Sequence, residues 1–178
     1  MVILQFIKNR QIYDKAIIDK VPEANQFLWL STANIKNMYV EKYTRFVPFL
    51  EIISDLIKDN VNVRLIHAQE PGPNFKEEFD KYPALINGLE RMLCKRIHFK
   101  TVIIDGEFIY LGSANLTGAG MGAKNKDRRN FENGIITTKK AIIDQVIDQF
   151  DKIWMGKKCE NCDRKEYCSE YKDIYLEN

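Results

Sequence analysis

Residues 97–115 read IHFKTVIIDGEFIYLGSAN and carry the clearest structural signal in the sequence. Two runs rich in β-branched and aromatic residues, 97–105 and 107–111, are typical of strands. Asp-Gly separates the runs and is a strong hairpin signal. We therefore predict an antiparallel hairpin, with Asp105 in a structural role at its turn.

Four polar side chains of this stretch could carry chemistry. On a strand, His98 and Lys100 lie two residues apart and are predicted to share a face. Ser113 and Asn115 open the loop that follows the second run. The set offers one nucleophile or base and several donors, without a carboxylate at its centre. This combination suits a phosphate, because phosphoryl chemistry depends mainly on positioning and charge stabilisation.

The preceding chain indicates an α/β fold. Apolar spacing predicts helices at 10–21 and 41–59, and a strand follows each of them, at 26–31 and 61–66. Such helix-to-strand units are typical of α/β architecture. We therefore expect a mixed β-sheet flanked by helices.

Later segments complete this domain. A helix that starts with proline is predicted over 83–93, a final strand over 134–138 and an amphipathic helix over 140–154. Beyond that helix the composition changes to cysteines and charges with few aliphatics. The expected division is a catalytic domain over 1–155 and a short, cysteine-rich metal-binding tail over 156–178.

The composition is that of one globular domain. The chain has 178 residues, 45% of them apolar and 29% charged, so it can bury a core. A net charge of +2 does not by itself indicate a nucleic-acid binder. The charge is uneven, however, because residues 91–130 hold eight basic and three acidic side chains. This excess around the hairpin favours a polyanionic partner.

The N-terminal segment gives no sign of secretion. Its apolar run stops at Ile7, and no small-residue cleavage site follows. No stretch approaches the roughly 18 apolar residues of a membrane span. We expect a cytoplasmic protein with no membrane partner. In a reducing compartment, four cysteines favour metal binding over disulfides.

The spacing of the central residues resembles the HxKxxxxDxxxxxxGSxN signature, or HKD motif, of the phospholipase D superfamily at every defined position. Downstream, Asn130-Phe-Glu132-Asn133 resembles the NxEN element of its small bacterial endonucleases of the Nuc type. The order of elements over roughly 10–155 also fits that fold.

The resemblance implies a role for each matching residue. His98 would be the nucleophile that forms a covalent phosphohistidine. Lys100 and Asn115 would bind the phosphate, with Ser113 assisting. Glu132 would hold the histidine ring by accepting a hydrogen bond from its other nitrogen.

The chain carries one copy of the motif, whereas the chemistry needs two histidines, one to attack and one to protonate the leaving oxygen. The resemblance implies a homodimer that shares one active site, in which the partner subunit's His98 is the general acid. His67 is the only other histidine. It could supply an internal acid, but it ends a predicted strand outside any motif, and we interpret it as structural.

The motif leaves the substrate open among DNA, RNA and phospholipids. The loop before Glu132 carries basic residues that are expected to contact a nucleic-acid backbone, or else to form a solvated loop: Lys124, Lys126, Arg128 and Arg129. We predict an endonuclease that acts on DNA in preference to RNA, with RNA left open as a substrate, and that needs no catalytic cofactor. The alternatives are a phospholipid phosphodiesterase or transferase, and a non-catalytic module that binds nucleic acid or responds to redox state.

The tail cysteines Cys159, Cys162 and Cys168 have the spacing C-x2-C-x5-C, and thiolates two residues apart commonly share one metal. The run CENCDRKEYC resembles part of the iron–sulfur staple of RecB-type nucleases. That resemblance implies a distant fourth cysteine, for which Cys94 is the upstream candidate. A structural [4Fe–4S] cluster or a zinc ion would fit four thiolates. Otherwise Cys94 is a small buried hydrophobe, and the tail thiols are free or disulfide-linked.

Overall fold

The computed structural model describes residues 2–168. The strands of its main sheet are β1 Leu4–Lys8, β2 Phe27–Thr32, β5 Asn62–His67, β6 Leu89–Leu93, β7 Lys100–Ile104, β8 Phe108–Gly112 and β9 Asn133–Thr137. They form a seven-stranded sheet with the order β1-β9-β8-β7-β2-β5-β6. A separate two-stranded sheet consists of β3 Tyr39–Lys42 and β4 Arg45–Pro48.

The main sheet is mixed, as predicted. β5 runs parallel to β2 and to β6, because helical connections return the chain to the same end of the sheet. The other neighbouring strands are antiparallel, and the β7–β8 hairpin pairs Lys100 with Gly112 and Ile104 with Phe108. The predicted α/β class is therefore confirmed.

Helices cover both faces of the sheet. They are α1 Arg10–Ile12, which continues as the π-helical segment Tyr13–Ile18, α2 Phe49–Lys58, α3 Pro73–Phe79, α4 Pro83–Gly88 and α5 Lys140–Trp154. Helix α5 packs on one face against a cluster that includes Ile103. The earlier helices pack on the other face, against a larger cluster that includes Val102 and Ile104. Alternate residues of β7 thus point to opposite layers.

A row of stacked rings fixes the C-terminal end of α5. The ring centroids of Trp29 and Phe150 are 5.1 Å apart, and those of Phe150 and Trp154 are 6.0 Å apart. The guanidinium of Arg64 lies 5.0 Å from the ring centroids of both tryptophans. The tail therefore begins where α5 is firmly packed against the sheet. Residues 169–178 of the tail lie outside the described range.

Asp105 has the structural role predicted for it. Its backbone is left-handed, with φ of 53°, as expected at a tight hairpin turn. Its carboxylate accepts hydrogen bonds from the backbone N–H groups of Asn25, Gln26 and Phe27 at 2.8 to 2.9 Å. Asp105 thereby ties the hairpin turn to the start of β2.

The single helix predicted over 41–59 is wrong in its first part. Strands β3 and β4 occupy that part, and α2 begins only at Phe49. Tyr43, with φ of 56°, turns the chain between the two strands. Pro48 has no N–H to continue a helix from the residues before it. Phe46, which helical spacing predicts to be buried, is 66% exposed.

The helix predicted over 83–93 is too long. It ends at Gly88, where a Cβ atom would collide with the side chain of Ile57 in α2. The chain then enters β6 and pairs with β5, with Leu89 opposite Val63. Strand pairing with a distant segment therefore overrides the local helical spacing.

The N-terminal apolar run forms an edge strand that the sequence analysis did not predict. It pairs antiparallel with β9, placing Leu4 opposite Thr137. Within the described residues no helix is both long and apolar enough to span a bilayer.

Candidate active site

His98 and Lys100 lie together at the start of β7. The strand begins at Lys100, so His98 occupies the segment before it rather than the strand itself. Nζ of Lys100 lies 3.4 Å from Nδ1 of His98 and also donates to the backbone oxygen of His98. The imidazole is exposed, whereas Lys100 is only 5% exposed. An exposed imidazole therefore lies next to a buried cation.

Within the described part of the chain, the ammonium of Lys100 has no counter-charge in direct contact. Burial lowers the pKa of Lys100, and the more distant charge of Glu132 partly offsets this effect. Among residues 2–168 no carboxylate forms an ion pair with Lys100. A buried cation without a counter-charge is costly even when it is hydrogen-bonded, so the site favours an anion.

Asn115 is oriented from the end of β2. Its Oδ1 accepts a hydrogen bond from the backbone N–H of Asn34 at 3.1 Å and lies 3.2 Å from the hydroxyl of Thr32. The same hydroxyl accepts from the N–H of Leu116 at 3.1 Å. Because the amide oxygen is engaged, the amide NH₂ is left to donate toward a ligand.

Ser113 and Glu132 are joined across the loop. Oγ of Ser113 donates to Oε2 of Glu132 at 2.5 Å, and Nδ2 of Asn130 donates to Oε1 at 3.1 Å. Asn9 makes two hydrogen bonds with the backbone of Glu132. The backbone N–H of Asn9 donates to the carbonyl of Glu132, and Oδ1 of Asn9 accepts from the N–H of Glu132. The carboxylate is thus held by the loop itself, and its predicted contact with the ring of His98 stays a prediction.

Tyr110 shapes this loop and was not predicted from the sequence. Its ring is fully buried, and burial raises the pKa of Tyr110 to about 12. Its hydroxyl accepts the N–H of Ala114 at 3.3 Å. The ring occupies the space that a Cβ at Gly112 or Gly134 would need. The two glycines, paired between β8 and β9, are the sequence signal for this close approach.

Two further positioning residues were missed, Thr32 and Asn9. Thr32 belongs to a polar run, Ser-Thr-Ala-Asn, that ends the apolar strand β2. A switch from apolar to polar residues at a strand end could have marked it as facing a site. Asn9 gave no comparable signal, because its partner Glu132 lies far along the chain.

The basic loop has an exposed part and a structural part. Lys124, Lys126 and Arg128 are exposed, whereas Arg129 is half-buried and donates from Nε to the carbonyl of Lys124 at 2.6 Å. Phe131, between the loop and Glu132, is 97% exposed. The surface beside the site thus presents three cations and one aromatic ring.

His67 is in a structural environment. It is 4% exposed at the end of β5, and its Nδ1 lies 2.9 Å from the carbonyl oxygen of Gln69. Burial and this contact with a backbone carbonyl agree with the structural role that we assign to His67.

A cavity of about 260 Å³ lies on the α5 side of the sheet. Its lining includes Cys94, Cys159, Cys162 and Cys168. Burial raises the pKa of Cys94 and of Cys159, whereas the backbone N–H of Arg164 lowers the pKa of Cys162. Among residues 2–168 no three histidine, cysteine or acidic side chains are grouped closely enough to hold a metal ion. The metal site therefore stays a prediction.

The family model described as "Cardiolipin synthase, PLD-like domain" matches residues 17–154, and the chain belongs to this family. The match includes every predicted catalytic residue from His98 to Glu132. It confirms the resemblance to the phospholipase D superfamily, and the chain is accordingly a phosphodiesterase. A search of curated protein sequences finds no match.

Solved structures share the fold. NucT from Helicobacter pylori has a TM-score of 0.64 at 15% identity, over 87% of this chain and 97% of that chain. Nuc from Salmonella typhimurium, a phospholipase D family member, has a TM-score of 0.61 at 14% identity, over 86% and 95%. The archaeal chromatin protein TrmBL2 has a TM-score of 0.59 at 12% identity, over 85% and 52%. These similarities confirm the Nuc-type fold.

Proposed function

We propose that this protein is a metal-independent endonuclease that cuts DNA as a homodimer. The observation that carries the proposal is the buried ammonium of Lys100 beside the exposed ring of His98. A phosphodiester would supply the negative charge that this cation lacks among the described residues. The adjacent imidazole is then within reach of the phosphorus.

The reaction has two displacement steps. In the first, a ring nitrogen of His98 bonds to phosphorus while the bond to the leaving oxygen breaks, and a second imidazolium protonates that oxygen. In the second, water attacks the phosphohistidine, the phosphorus–nitrogen bond breaks, and the second imidazole takes the proton of the water. Lys100 and the NH₂ of Asn115 bind the non-bridging oxygens, Ser113 assists, and Glu132 orients the histidine ring.

The second imidazole comes from another copy of the chain. The sequence contains two histidines, and His67 is buried and engaged with Gln69. We therefore assign the general acid to the partner subunit's His98, across a twofold axis.

DNA is the proposed substrate. Lys124, Lys126 and Arg128 can neutralise backbone phosphates that run past the site. Phe131 offers an exposed ring on which an unpaired base can stack. We expect single-stranded DNA to be cut faster than duplex DNA for this reason.

The first experiment is cleavage of single-stranded DNA, duplex DNA and RNA in excess EDTA. The wild-type protein and the His67→Gln control should cut DNA, whereas His98→Ala should not. If His98→Ala cuts as well as wild type, the catalytic proposal is wrong. Binding of DNA without any cleavage would favour a non-catalytic module. Faster hydrolysis of phosphatidylglycerol in vesicles would favour a phospholipid substrate.

Co-expression of wild-type and His98→Ala chains tests the shared site. A mixed dimer would hold one histidine where two are needed, so only dimers of two wild-type chains should cut. Activity should then fall with the square of the wild-type fraction. A linear fall would contradict the shared site while leaving the single-chain chemistry intact.

A further inference from the structure

We propose that Cys94, Cys159, Cys162 and Cys168 bind one thiophilic metal centre, either a zinc ion or an iron–sulfur cluster. The proposed nuclease chemistry uses none of these side chains. They come from two distant parts of the sequence and yet line the same cavity beside α5. Four thiols around one space are the donor set of structural zinc and iron–sulfur sites.

Backbone turns present the thiols. The N–H of Cys162 donates to the carbonyl of Cys159 at 3.0 Å, so the two cysteines lie within one reverse turn. Cys168 ends the next turn, because its N–H donates to the carbonyl of Lys165 at 3.1 Å. Cys94 begins a turn of its own, closed by the N–H of Ile97 at 3.0 Å. Each thiol is therefore carried by a tight turn at the edge of the cavity.

Two polar contacts bring the tail to the turn that begins at Cys94. Nη1 of Arg164 donates to the carbonyl of Lys95 at 3.2 Å, and Sγ of Cys168 lies 3.5 Å from the carbonyl oxygen of Leu93. The tail has few aliphatic side chains with which to dock. A metal centre would supply the free energy that holds it, since binding of a structural metal is coupled to folding.

The surroundings also fit a thiolate centre. Phe99 and Ile153 contribute apolar lining, and the positive charge of Arg96, which also lines the cavity, would offset negative charge on bound thiolates. The four side chains line one space, although among residues 2–168 no three of them lie close enough together to hold a metal ion as they stand. A bound metal would deprotonate them and turn the sulfur atoms inward.

The test is metal analysis of the full chain, purified without air. We expect one centre per chain. Zinc would give a colourless protein with equimolar metal, whereas a cluster would give visible charge-transfer absorption with iron and sulfide. Serine at any one of the four cysteines should reduce the metal to background. Lys158→Ser, which lines the same cavity, should retain it.

Two measurements guard against misfolded variants. Cobalt(II) added to the metal-stripped wild-type protein should give the intense bands of tetrahedral thiolate coordination, and their absence would overturn the proposal. Four freely titrating thiols, or a disulfide among them, in the protein as isolated would also overturn it. Full metal content in Cys94→Ser would exclude the four-thiolate site. His98→Ala should keep its metal, so this proposal and the nuclease proposal can fail separately.

Discussion

The candidate active site and the cysteine cavity are connected by residues 94–100, yet Lys100 and Cys94 belong to opposite faces of the sheet, and the two regions are held in different ways. Lys100 shares its face with Val102 and Ile104, whereas Cys94 packs on the α5 side. In the active site, the functional side chains are held by hydrogen bonds from the fold. In the cavity, the thiols face one space without a common partner. Hydrogen bonds within the fold therefore hold the first region, whereas in our proposal a metal would draw the thiols of the second region together.

The Lys100→Met variant should give the largest effect, and it tests whether the candidate active site is built to bind a ligand. If the site around Lys100 binds an anion, removing the cation should reduce kcat/KM for DNA by about a hundredfold or more. The same change replaces a buried charge with an apolar chain, so the free energy of unfolding should stay equal or rise by about 1 kcal/mol. Cleavage assays and urea denaturation measure the two effects. A marked loss of stability would show that Lys100 supports the fold instead.

The pH dependence of cleavage and of stability also tests the role of the Lys100 charge. Burial lowers the pKa of Lys100 below its ordinary value of 10.5, so the ammonium is lost early as pH rises. Cleavage should then fall about tenfold per pH unit above the lowered pKa. Because the unfolded chain binds the proton more tightly, stability should increase with pH between the two pKa values.

Lys100→Arg is the matched variant for this pH test. Arginine stays charged throughout the range, so whatever activity remains should show no alkaline decline. An unchanged decline in Lys100→Arg would assign it to another group.

Thr32→Val tests whether the hydrogen bonds of the active site matter individually. Loss of the hydroxyl beside Oδ1 of Asn115 should lower kcat by about tenfold and change KM little, because the amide is misplaced rather than removed. Ser31→Ala is the control, since that neighbouring hydroxyl contacts Thr101 instead. Equal losses in both variants would indicate a general effect on β2.

The basic loop should give the smallest effect. Lys126→Gln with Arg128→Gln should weaken DNA binding a few-fold near 0.1 M salt and reduce the slope of log K against log salt by about one to two. Lys76→Gln, an exposed lysine of α3, is the control. An unchanged slope would place the loop outside the path of the DNA.

The sequence predicts the β7–β8 hairpin and α5 well because their signals are local. Asp-Gly specifies the turn within a few residues, and α5 shows one apolar face over four turns. The sequence analysis wrongly assigned β6 and the β3–β4 hairpin to helices. Short apolar runs fit both the helical period of about 3.6 residues and the strand period of two residues. For residues 89–93, pairing with β5 selects the strand over the helix, and this pairing depends on residues far away in the sequence.

In the candidate site, too, local signals reveal some residues and long-range contacts determine the others. The motif gives His98 and Lys100 directly, because both lie within three residues of one strand end. The supports of the loop, Tyr110 beneath two glycines and Asn9 at Glu132, come from contacts between distant segments. Such positioning residues have no fixed distance in sequence from the groups that they hold, so no motif reveals them.

Because the ammonium of Lys100 has no counter-charge among residues 2–168, the stability of this protein should depend on the anion in its buffer. A ligand that binds only the folded state shifts the unfolding equilibrium by mass action, so inorganic phosphate or sulfate should raise the melting temperature in proportion to the logarithm of its concentration. Chloride, a poorer match for a site that offers several donors, should do less. Phosphate would then act as a stabilising excipient and a competitive inhibitor at the same time.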